Sequence, residues 1–198
     1  MKKVGKYILI IPEGWCEYRY AQALKQSLPR DKQRSISVDL PKPNNENTAG
    51  QLLDKAEDKI SKARRDNNPY DAVWIVFDND NQPNLSTFFQ RQKKTKVNIA
   101  YSSMCIEHWF ILHLENNRQV FHNADQALQR IETLWLNNFN QTYHKTKVNH
   151  FEMLKENLAT AMERANILTQ QADAEQMPLA DRNPYFTIQN FIQFFQSL

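Results

Sequence analysis

Ala72-Val73-Trp74-Ile75-Val76-Phe77-Asp78-Asn79-Asp80 is the stretch on which the fold of this chain turns. The run from Ala72 to Phe77 is apolar throughout and rich in β-branched and aromatic residues, with none of the alternation of a half-exposed strand. Such a run suits a central parallel strand covered on both faces. It stops abruptly in Asp-Asn-Asp-Asn, a composition that favours turns. Working outward, Tyr7 to Ile11 is a second run of the same kind, closed by Pro12-Glu13-Gly14. Ile36 to Leu40 and Val97 to Tyr101 supply two weaker strands.

Helical segments separate these strands. Trp15 to Leu28 is stopped by Pro29, and Thr48 to Arg65 carries Leu52, Leu53, Ala56 and Ile60 at helical spacing before Asn67-Asn68-Pro69 breaks it. A polar helix spans about Leu85 to Lys94, and an apolar one spans Cys105 to Leu114. The remainder reads as helical over Ala124 to Phe139, Phe151 to Ala172 and Thr187 to Gln196, with a polar loop around Asn137 to Asn149. Strands alternating with helices predict an α/β fold: a parallel four-stranded sheet with right-handed crossovers, flanked by helices, with a helical C-terminal extension. The expected division is an α/β domain over residues 1–118 and a helical extension over 119–198 packed on it.

Composition narrows the classes. A chain of 198 residues with 41% hydrophobic residues can bury a core without staples. A net charge of +3 is too mild to announce a nucleic-acid binder alone, and the basic runs at Arg64-Arg65 and Arg91 to Lys96 read first as solvated helix faces. Cys16 and Cys105 stand far apart with no CxxC, which excludes a disulfide framework and a Cys-rich zinc site. No apolar run approaches the roughly 20 residues of a bilayer span, and the stretch after the basic N-terminus is too short for a signal peptide. A cytoplasmic chain with no membrane partner is expected. Gly5, Gly14 and Gly50 are the only glycines, so the glycine-rich phosphate loops GxGxxG and GxxxxGK[ST] are excluded.

In parallel sheets ligands bind beyond the carboxyl ends of the strands. Glu13 follows the first strand, and Asp78 and Asp80 follow the third, so all three fall on one rim. If those strands are neighbours, roughly 5 Å apart, the three side chains can converge on one ion. A hard dication such as Mg²⁺ or Mn²⁺ prefers such oxygen ligands. A plain turn accounts for the Asp-Asn-Asp-Asn taken alone. The second acid at the matching end of another buried strand is what favours a site, because clustered carboxylates repel and cost stability without a cation. Glu107 and His108, at the start of the helix after the fourth strand, share the rim. Glu107 is a candidate further ligand or holder of a metal-bound water, although the helix dipole alone favours an acid there. His108 and His113 are candidate general bases or phosphate contacts, against the plainer role of core histidines. Lys145 and Lys147 could neutralise a phosphate; Trp109, Phe110 and Trp135 read as core.

Taken together, these residues resemble a known family. Pro12-Glu13-Gly14-Trp15-Cys16-Glu17-Tyr18-Arg19-Tyr20 looks like the EGxxTE…Y opening of RloB-like proteins, which belong to the Toprim-like group. Val76 to Asp80 resembles their DxD strand, and Ile99 to His113 is similar to their IAxSNPCFExWLLLHF segment. Tyr143 to Lys147 and Asn183-Pro184 resemble later family segments. The resemblance implies a Toprim fold in which Glu13, Asp78 and Asp80 bind Mg²⁺ for phosphodiester chemistry, with Glu107 and His113 secondary. It also implies an anti-phage defence nuclease beside a partner ATPase. Two departures stand out: Trp15-Cys16 replaces a more usual Lys-Thr, and Ser103-Met104 replaces Asn-Pro.

The leading expectation is therefore a Mg²⁺- or Mn²⁺-dependent endonuclease acting on RNA, tRNA included, or DNA. Glu13, Asp78, Asp80 and Glu107 form its catalytic set, and Arg91, Lys93 and Lys94 form a surface for the nucleic-acid backbone. The expected partners are nucleic acid, a partner ATPase and, as a further option, a second copy of the chain. The alternative is a Toprim-like subunit that binds an ATPase or nucleic acid without turnover. A phosphoacceptor receiver domain fits worse, since Gly14-Trp15 stands where an acidic pair is needed and no fifth βα unit is visible.

Overall fold

The structure is a computed structural model, and it describes residues 5–44, 48–79 and 82–198. Strands β1 (Lys6–Pro12), β2 (Ile36–Asp39), β3 (Ala72–Asp78) and β4 (Asn98–Ser102) form one sheet in the order β2-β1-β3-β4. Every neighbouring pair is parallel. The expected α/β fold, a four-stranded parallel sheet flanked by helices, is the one the chain adopts.

The unbroken apolar runs of β1 and β3 follow from cover on both faces. Leu9, Ile11, Val73, Ile75 and Phe77 share one face and one core cluster with residues of α3 (Ala49–Arg65) and α4 (Leu85–Gln92). Ile8, Ile10, Trp74, Val76 and Ala100 point the other way. They pack with α1 (Trp15–Ser27), α5 (Ile106–Leu114) and the C-terminal helices α6 (Ala124–Phe139), α7 (His150–Leu154), α8 (Leu158–Ala174) and α9 (Ile188–Gln196). Thr48 and Gln51 start α3 as a reciprocal cap, with Gln51 N–H donating to the Thr48 hydroxyl at 3.3 Å and Thr48 N–H donating to the Gln51 side chain at 2.8 Å.

Two helical details differ from the sequence reading. Pro29 ends α1 but also opens α2 (Arg30–Ser35), which buries no residue and so shows no apolar period to read. The helix expected over Phe151 to Ala172 is instead α7, a 3₁₀ turn at Lys155–Asn157, and α8.

The C-terminal helices are built into the sheet's own core. Phe186 bridges Ser102 in antiparallel fashion along the outer edge of β4. Thr187 N–H donates to the Tyr101 carbonyl (2.8 Å), while its hydroxyl accepts from Tyr101 N–H (3.0 Å) and donates to the Ile99 carbonyl (3.0 Å). The segment thereby covers an edge that would otherwise expose unpaired backbone groups. Among the described residues, no helix is long and apolar enough to cross a membrane.

Candidate active site

Register decides where the acids meet. Ile11 pairs with Ile75 and Pro12 with Val76, so β1 and β3 end side by side. Glu13 continues the pairing by one bond, its N–H donating to the Val76 carbonyl at 2.9 Å. Its carboxylate then turns onto the end of β3: Oε2 accepts the Asp78 N–H at 3.0 Å, and Oε1 accepts the Gln82 side-chain amide. Asp78 is buried, and its Oδ2 accepts the Ile106 N–H at 3.1 Å, at the first turn of α5. A carboxylate there meets the positive end of the helix dipole.

Two further acids join from the helices. Glu17, in the first turn of α1, is buried and accepts the Gly14 N–H at 3.1 Å. Glu107, buried in the first turn of α5, accepts the Tyr143 hydroxyl at 3.1 Å and lies 3.5 Å from the Lys145 ammonium. Burial, then repulsion from Glu17 and Glu13, holds the Asp78 carboxyl well above the usual range. Burial likewise raises Glu17. Partial burial opposes the charge on Lys145, but Glu107, then Asp78 and Glu17, outweigh it and raise its pKa. Tyr143 and Lys145 thus come from the loop after α6 to face acids carried by β3, α1 and α5.

The donor chemistry fits a hard dication: the acids offer only oxygens, and burial with mutual repulsion disfavours the charge on Asp78 in the absence of a cation. Among the described residues, no three His, Cys, Asp or Glu side chains form a group placed to hold an ion. Asp80, the third acid of the set read from sequence, lies outside the described residues. Thiol chemistry fits poorly. Cys16 lies 4.0 Å from His150, but burial pushes the thiol up and the imidazole down to about 4, the reverse of an activated pair.

The sequence model of the RloB-like protein family matches residues 8–195, nearly the whole chain. The chain belongs to the RloB-like protein family. No curated protein and no solved structure gives a significant match.

Other candidates lie elsewhere. His108 is fully buried, with its ring centroid 4.6 Å from that of Phe121 and 5.0 Å from that of Phe186. Neither of its ring nitrogens has a hydrogen-bond partner; Asn117 and the Ser103 backbone approach without reaching bonding geometry. His113 Nδ1 sits 3.0 Å from the Trp109 carbonyl, and its other nitrogen is unpaired. Burial pushes both histidines down to about 4, so both are neutral at pH 7, among aromatic and backbone neighbours rather than the carboxylates. Arg91 pairs with Asp54 and Glu57 of α3. Lys93 and Lys94 are exposed between α4 and the start of β4, at the opposite end of the sheet from Glu13 and Asp78. Lys96, beside Asp71 and Ala72 in one cleft, marks that same far end. The structure does not bring this basic run to the acids.

Glu17 is the site residue that the sequence reading left without a role. An acid in the first turn of a helix has a sufficient local explanation in capping. The usable signal was its spacing, one helical turn past Glu13 and between the buried Cys16 and Tyr20.

Proposed function

We propose that this protein is a Mg²⁺- or Mn²⁺-dependent endonuclease of the Toprim type. It hydrolyses phosphodiesters in RNA, tRNA included, or DNA, as the effector of an anti-phage defence system with a partner ATPase. The observation that carries the chemistry is the meeting of Glu13 and Asp78 at the carboxyl rim of the sheet, with buried Glu17 and Glu107 near enough to act on the charge of Asp78. Concentrated buried negative charge is costly, and it persists where function requires it. The defence role and the ATPase rest on family resemblance alone.

Glu13 and Asp78, with Asp80, would hold the ion. When bound, a dication polarises a phosphate oxygen and lowers the pKa of a bound water. The chain's own groups do the rest. The Asp78 amide and Gln82 fix the Glu13 carboxylate, and Tyr143 fixes Glu107 as the acid nearest Lys145. Lys145 is half-exposed, with its ammonium at the acids and able to meet a phosphate oxygen.

A non-catalytic interaction subunit is the second reading, favoured by the lack of a preassembled three-ligand group among the described residues. One experiment separates the two. Purified protein is incubated with RNA and DNA in Mg²⁺ or Mn²⁺, alone and with the neighbouring ATPase. Asp78→Asn and Glu13→Gln should each reduce cleavage by about 100-fold or more. Without metal, Asp78→Asn should also raise Tm by about 2–4 °C, since relieving roughly 1 kcal/mol of repulsion has that effect in a chain this size. Cleavage that survives both substitutions removes this site assignment, and no metal uptake at millimolar concentration by calorimetry favours the second reading.

A further inference from the structure

Beside the acids runs a surface that the nuclease reading does not use. Trp15, Arg19, Gln22 and Gln26 follow one another at spacings of four, three and four along α1, which places them in a single stripe. All four are exposed. The stripe begins at the helix end joined to Glu13 and extends about 16 Å from it, at 1.5 Å per residue. Along it lies a cleft of about 300 Å³, lined on the α1 side by Arg19, Gln22 and Gln26 and on the other by Lys147 and Asn149. Lys147 belongs to the segment that delivers Lys145 to Glu107. Neither Arg19 nor Lys147 forms an ion pair among the described residues, whereas Arg91 is neutralised by Asp54 and Glu57.

Trp15 gives the stripe its selectivity. It is 42% exposed, while Trp74, Trp109 and Trp135 are at most 6% exposed. Its indole rests edge-on against Tyr18, at 5.5 Å between centroids, so one ring supports the other at the mouth of the site. A bare indole beside guanidinium, ammonium and amide donors matches a ligand with both a π-face and phosphates. Bases inside a duplex are covered by their neighbours; only an unpaired base offers its face to a side chain.

We infer that the α1 stripe and the Lys147 segment form a track for single-stranded nucleic acid, with an unpaired base stacked on Trp15 and flanking phosphates held by Arg19 and Lys147. The inference deepens the nuclease reading and rests on it for the strand's destination: unpaired nucleotides are led to the carboxylates. Arg19 takes a phosphate through two parallel N–H bonds, Lys147 takes one as a point charge, and the amides of Gln22, Gln26 and Asn149 complete the polar wall.

The test is binding without turnover. In EDTA, single-stranded RNA and DNA 12-mers and their duplexes are titrated against the full chain, with anisotropy and tryptophan emission as readouts. Single strands should bind at least tenfold more tightly than duplexes and quench the exposed indole. Trp15→Ala should weaken binding about tenfold, the scale of one stacked base, while Trp15→Phe retains most of the affinity. Arg19→Ala and Lys147→Ala should each weaken binding and flatten its salt dependence. Unchanged thermal unfolding of Trp15→Ala guards against a folding artefact. Equal or tighter duplex binding, unaltered affinity in Trp15→Ala, or no binding of any strand overturns the track. Metal is absent throughout, so such a failure leaves the cleavage test of Asp78→Asn intact, and the two readings fall separately.

Discussion

Asp78 and His108 show how differently two buried ionisable side chains are handled. Asp78 keeps a helix N–H on its carboxylate and a second acid at its own amide. His108 lies against aromatic rings and, among the described residues, has no hydrogen-bond partner for either ring nitrogen. Neutral rings at His108, His113 and His150, each pushed down to about 4, stabilise the fold above the ordinary histidine range. That contribution is lost as pH falls from about 6.5 towards 4, because the unfolded chain takes up the proton first. The raised carboxyls of Asp78 and Glu17 act in the opposite sense, so the histidine effect is best read as a difference. Urea unfolding of wild type and His108→Phe should diverge on acidification, the variant losing about 3 kcal/mol less by pH 4. Parallel stability curves would mean His108 does not titrate this way. Glu13 and Asp78 were legible because strand ends are marked in sequence. The facing of Glu107 and His108 was not, because α5 is buried from Ile106 to His113 and has no apolar period to orient it.

The elements themselves were legible wherever burial imposes a pattern. Continuous apolar runs gave β1 and β3, shorter and weaker apolar signals gave β2 and β4, and helical spacing gave α3. The covering of β4 was hidden, because a three-residue contact from Tyr185 to Thr187 is too short to carry a strand signal and its partner is over 80 residues away. Thr187 can be tested directly. Thr187→Val keeps the shape and the backbone bond but orphans the Tyr101 N–H and the Ile99 carbonyl. The expected loss is about 1–3 kcal/mol, read as a lower urea midpoint with an unchanged slope. An unshifted midpoint would show that the hydroxyl is dispensable at this edge.

For the molecule as a whole, the packing of Ile8, Ile10, Trp74 and Val76 with Trp135, Ala161, Phe191 and Phe195 in one cluster bears on the division expected at residue 118. A fragment of residues 1–118 would keep α1 and α5 on this face of the sheet but strip away the cover supplied by α6 to α9. It should show no cooperative urea transition and little near-UV circular dichroism, whereas a sharp transition would establish an independent domain. Charge is also distributed unevenly at this scale. Arg64, Lys93, Lys94 and Lys96 are exposed at the end of the sheet where β3 and β4 begin, and the acids lie where β1 and β3 finish. A seven-residue strand separates these poles by about 23 Å. A drifting polyanion is therefore attracted not only to the Arg19 and Lys147 track beside the acids but also to a second pole remote from them. A short oligonucleotide caught there is parked out of reach, whereas a long polymer can be tethered at one pole while it explores the other. On the nuclease reading, chain length itself becomes a criterion of substrate choice.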